Sequence, residues 1–283
     1  MTEIPAIIIA ALLGALQGFT EFLPISSSAH LYAVPYLFLL NDPLLDSLAF
    51  AAVLHLGTLA AVLVAMRHEV VRLTGVVLRF IFSLGRTRGE ASDERLIVAI
   101  ILGTIPAAIA GALASDLIDG ALRSPIIVAA AVLAGAVLLG VAERFGRRER
   151  PLEGIAIFDG IFTGLAQALA LIPGISRSGA TISAGLLLGF NRASAARFSF
   201  LLGIPAIAGG GLLELRKLAE AGGISDGSIP LLLVGIATSF FAGLLAISLL
   251  LRLLSGSSTR LFVFYRIAFA LLLIGTALSR GGI

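Results

Sequence analysis

Cysteine and tryptophan are absent from this 283-residue sequence, histidine occurs three times, and only 13% of the residues are charged. Without cysteine the chain has no disulfide, no thiolate metal site and no thiol nucleophile, so any chemistry must come from serine, histidine, carboxylate or arginine side chains. The shortage of charge excludes a disordered chain. A net charge of only +3 also argues against a nucleic-acid partner, because such proteins concentrate basic residues.

Apolar residues are abundant instead. Hydrophobic residues make up 58% of the sequence, and 32 glycines add to this. Soluble domains are about 45–50% apolar with glycine included and about 25% charged. A water-exposed surface cannot be built from so few charges, and the composition therefore predicts an all-α polytopic membrane protein.

Six segments are long and apolar enough to cross a bilayer, which takes about 20 residues per helix. They lie near 48–66, 96–115, 124–142, 198–215, 229–251 and 261–279. Two further apolar stretches, 4–40 and 153–190, are each interrupted by proline and a serine-rich turn. The second piece of each stretch is only about a dozen residues long, so we expect two re-entrant broken helices.

The basic residues indicate the orientation. One arginine cluster lies in the connection 67–95 and another between 144 and 150. If 96–115 and 124–142 form a hairpin, both clusters lie on one side, which the positive-inside rule makes cytoplasmic. Most of the 20 lysine and arginine residues then fall on that side. Arg177 and Arg266 lie inside membrane-embedded sequence, where a charge is costly and indicates function.

The two interrupted stretches resemble each other. Gln17 aligns with Gln167, and the run from Ile25 to Ser28 aligns with the run from Ile175 to Ser178, at an offset of 150 residues. We therefore predict two repeats, 1–150 and 151–283, each with a re-entrant helix and three spans. An odd number of crossings inserts the second copy upside down, giving an inverted-topology repeat whose broken helices meet near the bilayer midplane.

Polar side chains concentrate at these interruptions. Gln17 and Glu21 lie four residues apart on one helix face, Pro24 ends that helix, and the serine run 26–28 is placed to cap the next one. His30 follows one turn later, on the Ser27 side. This pattern places a carboxylate, several hydroxyls and an imidazole at one helix start.

The second copy replaces the central serine by arginine, so Arg177 is the repeat partner of Ser27. A guanidinium grips phosphate with two parallel hydrogen bonds, and Ser28 and Ser178 add hydroxyl groups for phosphate binding. The set predicts a phosphoryl-transfer site, in which Ser27 attacks phosphorus or only positions phosphate for attack by water. Glu21 is a ligand for a hard divalent cation, Mg²⁺ or Ca²⁺, and either His30 or Glu21 could accept the serine proton.

Other polar residues have structural interpretations. His55 has no partner visible in the sequence, and we expect a structural role for it. Arg266 is expected to neutralise an acidic group or to anchor its helix near an interface. Gln17 and Gln167 are as readily explained by interhelical hydrogen bonds as by ligand binding.

Two long motifs, QGFTEFLPISSSAHL from Gln17 and PGISRSGAT from Pro173, resemble the paired signatures of the undecaprenyl-diphosphatase family. VLHLGT at Val53 and TIPA at Thr104 extend the likeness over nearly the whole chain. The resemblance implies an integral-membrane hydrolase that removes one phosphate from undecaprenyl diphosphate and recycles the lipid carrier of cell-wall synthesis. It also implies a divalent-cation requirement and a multi-pass plasma-membrane location with a site open to the outer side.

Residue by residue, the resemblance points to Glu21, Ser27, His30 and Arg177, with Ser26, Ser176 and Thr181 as supporting positions. Gln17 occupies a position that is often Glu in the family, which removes one anionic metal ligand, so we expect altered cation binding rather than loss of activity. The expected partners are a polyprenyl diphosphate and membrane lipids, no nucleic acid, and a homodimer as one possible assembly. A transporter or polyprenyl-phosphate flippase is the alternative, because inverted repeats with broken helices also suit alternating access.

Overall fold

A computed structural model describes residues 5–39, 42, 44–84, 89–119, 122, 124–220 and 228–280. Both ends of the predicted stretch 4–40 and the last three residues of the predicted second repeat lie outside the described residues. The described chain is all-α. Its helices are α1 (Ala6–Phe22), α2 (Ser27–Phe38), α3 (Leu48–Ala65), α4 (Arg67–Phe82), α5 (Ala91–Asp119), α6 (Pro125–Phe145), α7 (Ile157–Leu169), α8 (Arg177–Leu187), α9 (Arg192–Glu220), α10 (Ile229–Gly256) and α11 (Arg260–Ser279).

Five helices in the described part of the chain are long and apolar enough to span a membrane, namely α5, α6, α9, α10 and α11. They confirm five of the six predicted spans. The sixth, near 48–66, is α3, which bends by 82° into α4 after a break at Met66. The basic connection 67–95 therefore begins as a helix, α4, whose axis lies nearly at a right angle to that of α3.

The first interrupted stretch folds as two short helices, α1 and α2, that together form a re-entrant hairpin. Helix α1 ends at Phe22, two residues before Pro24, as the sequence predicts. Its first half packs with Phe50 near the start of α3, whereas Phe22 packs with Val62 near the end of α3. Helix α2 returns to the starting end, where Arg280 after α11 bonds the carbonyl of Leu37.

The second interrupted stretch, α7 and α8, enters from the opposite end. Arg150 joins both of its ends, because its guanidinium pairs with Asp159 at the start of α7 and donates to the carbonyl of Leu188 after α8. The two broken helices therefore approach each other from opposite ends and meet inside the helix bundle. The exact division into repeats at residue 150 stays a prediction.

Glycines let the re-entrant helices lie directly against their neighbours. Helix α1 packs along α10, and a Cβ atom at Gly14 would overlap the carbonyl of Gly235. Helix α7 packs along α5, and a Cβ atom at Gly164 would overlap the carbonyl of Gly103. Since Gly14 and Gly164 are repeat partners in the sequence, the close backbone approach is repeated along with the residues.

Arginine contacts gather at one end of the molecule. Arg72 pairs with Asp93, and Arg197 pairs with Glu69. Near the same end, Glu143 of α6 pairs with Arg192 at the start of α9 and accepts hydrogen bonds from Thr259 before α11. Arg72 of the connection 67–95 therefore shares one end with Arg192 and Arg197 of α9, as the predicted orientation requires. We call this the arginine-rich end.

Candidate active site

The turns between the half-helices share one backbone geometry. Ser26 and Ser176 both have left-handed φ angles, 79° and 76°, which non-glycine residues seldom adopt. Each serine then caps the following helix: Ser26 Oγ accepts from the Ala29 amide at 3.4 Å, and Ser176 Oγ accepts from the Gly179 amide at 3.1 Å. The cap predicted in the serine run 26–28 is confirmed at Ser26, and Ser176 repeats it at the second turn. The shared strain indicates that both turns hold one particular shape.

Glu21 lies at the centre of the site. Ser27 Oγ donates to its Oε2 at 2.7 Å, and Gln17 Nε2 donates to the same oxygen at 3.1 Å. Its other oxygen, Oε1, accepts from Nη2 of Arg177 at 3.0 Å. The carboxylate is only 6% exposed, so it needs these partners to remain ionised. Glu21 thus joins the central residues of both turns, Ser27 and Arg177.

Arg177 is held by α9 as well as by Glu21. Its Nη1 donates to the carbonyl of Ser199 at 3.2 Å. Thr181, one turn further along α8, shares a hydrogen bond of 2.6 Å with the Ser199 hydroxyl. Gly203 leaves room for the guanidinium, since a Cβ atom there would overlap Nη1 of Arg177. These contacts fix the direction of Arg177 toward Glu21.

The remaining serines of the two turns tie the turns to each other. Ser178 Oγ donates to the carbonyl of Leu23 at 3.0 Å. In the reverse direction, the amide of Gly174 donates to Ser28 Oγ at 3.4 Å. Each turn therefore gives one serine to the other turn. Both hydroxyls were predicted to bind phosphate, and that role stays a prediction.

His30 lies beside the first turn but does not contact Ser27 or Glu21 through hydrogen bonds. Its Nδ1 donates to the carbonyl of Ser26 at 2.7 Å, because a carbonyl can only accept. In the neutral ring Nε2 then accepts from the hydroxyl of Tyr265, also at 2.7 Å. The ring stacks on Phe269 with its centroid 4.1 Å away. These contacts favour Glu21 over His30 as the acceptor of the Ser27 proton.

A different histidine reaches the site, contrary to our expectation of a structural role for it. His55 Nε2 of α3 lies 3.5 Å from Oε2 of Glu21, and the ring is fixed by a hydrogen bond of 2.9 Å from Nδ1 to the carbonyl of Ala51. Its side chain is 32% exposed, whereas that of Glu21 is nearly covered. His55 is therefore the imidazole that faces the open side of the carboxylate.

A cavity of about 120 Å³ leads to Ser27. Ser28 and His55 also line it, and Asp46 and Ser47 lie at its rim, before the first residue of α3. The far end of α3 leads into α4 and the arginine-rich end. The cavity thus opens at the opposite end of the molecule.

The predicted divalent cation would be held by side-chain oxygen atoms of Glu21 and Gln17. Among the described residues no three or more His, Cys, Asp or Glu side chains cluster as a metal site. Gln17, whose Nε2 bonds the Glu21 carboxylate, nevertheless has its Oε1 buried without a hydrogen-bond partner. A carboxylate and an amide oxygen are donors that suit a hard divalent cation, and the cation site stays a prediction.

Sequence reasoning missed several residues around this cluster. The sequence around His55 contains no motif that links it to the site. Ser199 contributes through its backbone carbonyl and Gly203 through its lack of a side chain, and neither property shows in a sequence pattern. Tyr265 shares a membrane-embedded segment with Arg266, and a phenol next to an embedded arginine is the one clue that could have drawn attention to it.

Glu21, Ser27, Arg177 and Gln17 are brought together as the sequence predicted. A hydroxyl bonded to a carboxylate, with a guanidinium across from it, can bind a phosphate group and activate an oxygen nucleophile. Fold and site together define an integral-membrane protein with an embedded phosphate-directed centre.

Comparison with known proteins identifies the family. The family described as bacitracin resistance protein BacA matches residues 10–272, and the chain belongs to this family. An undecaprenyl-diphosphatase of Thermomicrobium roseum is 46% identical over 273 residues, covering 94% of this chain and 96% of the relative. An undecaprenyl-diphosphatase of Trichormus variabilis is 45% identical, covering 96% of this chain and 84% of the relative. One of Gloeobacter violaceus is also 45% identical, covering 94% of this chain and 90% of the relative.

Proposed function

We propose that this protein is an integral-membrane undecaprenyl-diphosphatase. It hydrolyses undecaprenyl diphosphate to undecaprenyl phosphate and inorganic phosphate. The observation that carries this proposal is the Glu21 carboxylate, which accepts a hydrogen bond from Ser27 of the first turn and pairs with Arg177 of the second. Full-length relatives with this name and at 43–46% identity support the same activity.

In the proposed reaction Ser27 Oγ attacks the terminal phosphorus while Glu21 Oε2, 2.7 Å away, accepts the serine proton. The bond from that phosphorus to the bridging oxygen breaks, and undecaprenyl phosphate leaves. Water then hydrolyses the phosphoserine and releases inorganic phosphate. Arg177 pairs with the phosphate oxygens as their charge grows. His55 lines the same cavity and is placed to contact the incoming diphosphate.

Glu21 and the free Oε1 of Gln17 are the residues that we propose to hold a divalent cation, Mg²⁺ or Ca²⁺. Such an ion supplies positive charge that neutralises phosphate oxygens. Since the protein provides a single carboxylate in the described site, binding of the ion should depend strongly on the substrate.

We further propose that the protein acts in the plasma membrane with its cavity open to the outer face. Support comes from the cavity position, at the end opposite the arginine-rich end, which the positive-inside rule places in the cytoplasm. A diphosphate headgroup at the outer leaflet could then reach Ser27 while its polyprenyl chain stays in lipid. Homodimer formation stays a prediction.

The test is phosphate release from undecaprenyl diphosphate by purified protein in detergent, with and without a divalent-cation chelator. Wild type should release phosphate in a chelator-sensitive manner. Arg177→Ala should abolish release while remaining monodisperse. Failure of folded wild type with several cations and chain lengths would contradict the proposal.

Ser27→Ala separates the possible roles of the serine. If Ser27 is the nucleophile, the variant loses at least about 10³-fold in kcat, since covalent catalysis is removed. If water attacks directly, Ser27→Ala only slows the reaction, whereas Arg177→Ala remains inactive. A transporter without phosphatase activity would be spared by Ser27→Ala.

A further inference from the structure

Arg266 of α11 is fully buried, with 0% of its surface exposed. We expected it to neutralise an acidic group or to anchor its helix at an interface, and the structure corrects this. Within the described residues, all the hydrogen bonds found for its guanidinium end on backbone carbonyl oxygens. Carbonyl groups provide partial charge only, so the cation is satisfied by hydrogen bonds without being neutralised.

The carbonyls belong to both turns of the site. Nη1 of Arg266 donates to Pro24 of the first turn at 3.1 Å. Nη2 donates to Gly174 and Ile175 of the second turn, both at 2.9 Å. Nε and Nη2 also donate to Val132 of α6, at 3.1 and 3.0 Å. One rigid guanidinium therefore fixes the first turn, the second turn and α6 relative to one another.

Space for this group is provided by α6. A Cβ atom at Gly135 would overlap Nη2 of Arg266 and crowd the carbonyl of Ile175 at 2.6 Å. Five residues further along α6, a Cβ atom at Gly140 would lie 3.8 Å from Val263, which is ordinary contact. The two glycines share a helix, and Gly135 alone of the two borders Arg266.

We propose that Arg266 is a positioning residue, which holds the two turns at the separation that lets Glu21 and Ser27 meet Arg177. The proposal rests on the proposed function, since it concerns the geometry of the same site. Lysine cannot replace the residue, because an ammonium is a compact point charge and lacks the planar fork that reaches several carbonyls at once. Apart from Arg266, the two turns are linked by the Ser28 and Ser178 hydrogen bonds and by the Glu21–Arg177 pair.

Four variants test this role: Arg266→Lys, Arg266→Met, Gly135→Ala and, as the matched control, Gly140→Ala. Phosphate release is measured per folded molecule, at one temperature that lies below the unfolding midpoint of every variant. Misplacement of reacting groups by about 1 Å can cost 10²-fold in rate. We therefore expect kcat to fall about 100-fold in the first three variants, with KM changed less than about threefold, and no change in Gly140→Ala.

Gly135→Ala keeps the charge of Arg266 and displaces its guanidinium, and it also crowds the Ile175 carbonyl of the second turn. Arg266→Lys leaves α6 unchanged, so the two variants are decisive together. Normal kcat in folded Gly135→Ala or Arg266→Lys would overturn the proposal and reduce Arg266 to a source of charge. Unfolding of all three variants would also overturn it, because Arg266 would then serve the fold as a whole.

A second measurement does not need activity. Ser28→Cys places one thiol where Gly174 of the second turn meets the first, in a chain that has no other cysteine. With Ser28→Cys alone as the reference, its rate of alkylation by a maleimide reports how open the two turns are. Arg266→Lys and Gly135→Ala should raise this rate several-fold, whereas Gly140→Ala should not. Unchanged rates would contradict the positioning role. An inactive wild type with the expected alkylation pattern would reject the proposed function while retaining the positioning role.

Discussion

The two turns, residues 23–28 and 173–178, share a fold but differ in chemistry. Both place a serine at a left-handed φ angle, cap the next helix with it and give a second serine to the opposite turn. Glu21 lies two residues before the first turn and Ser27 lies within it. The aligned positions at the second turn carry Leu171 and Arg177. One backbone frame therefore occurs twice, and the different side chains make the two turns the acidic and basic halves of a single centre.

The strongest test of this comparison replaces each charged side chain by an uncharged one. Glu21→Gln and Arg177→Met should each lower kcat/KM by at least about 10³-fold, because each leaves a buried charge unpaired and removes a group that contacts Ser27 or phosphate. The double variant should lose no more than the worse single variant, since the residues act as a unit. Phosphate release with purified, monodisperse protein measures all three.

Leu171→Gln is the control at the repeat position of Glu21. It introduces a polar group of similar size just after the end of α7, where the comparison assigns no chemistry. Activity should change by less than about threefold. A loss as large as that of Glu21→Gln would mean that the two turns are chemically closer than the side chains indicate.

A second test moves Arg177 without altering it. Gly203→Ala places a methyl group where Nη1 of Arg177 lies, so the guanidinium must turn away from Glu21. We expect kcat to fall about 100-fold, since misplaced groups lose the alignment needed for reaction. Gly209→Ala in the same helix meets open space and should leave activity intact. Equal activity of the two variants would show that Arg177 has another productive position.

The sequence predicted the parts of this site that depend on local rules. Proline after α1, serine caps and the aligned repeats are short-range patterns, and they located both turns and the meeting of Glu21, Ser27 and Arg177. Six of the helices were placed near their observed bounds for the same reason, because a long apolar run fixes a spanning helix by itself.

Long-range packing determined the rest. His55 reaches Glu21 only because α3 lies along α1, and no pattern around His55 encodes that contact. The partners of Arg266 are carbonyl oxygens, which every residue carries, so sequence could not distinguish them from an acidic partner. The bend of α3 into α4 was missed because 48–66 and 67–82 were interpreted separately, as a span and a charged connection.

The histidine of the first turn gives a smaller expected effect. His30 links the Ser26 carbonyl to Tyr265, and the aligned residue of the second turn is Ala180. Tyr265→Phe should destabilise the protein by about 1 kcal/mol, the usual net contribution of one hydrogen bond. His30→Gln should cost more, because it also removes the bond to Ser26 and the stacking on Phe269. The double variant should be no less stable than His30→Gln alone, because both remove the same bond. Thermal unfolding in detergent measures this, and fully additive losses would contradict the pairing.

The smallest expected effects concern the two serines exchanged between the turns. Ser178 donates to Leu23 at 3.0 Å, whereas Ser28 accepts from Gly174 at 3.4 Å, so the first bond has the better length. Ser178→Ala should therefore cost about 1 kcal/mol of stability and Ser28→Ala less, as measured by unfolding midpoints. Ser28 also lines the cavity, so its variant should raise KM. Ser178 is 1% exposed, so Ser178→Ala should change KM less, although the sequence predicts phosphate binding for both hydroxyls. The reverse order in KM would place the phosphate on the Ser178 side and make the second turn, with Arg177, the main binding surface for the substrate.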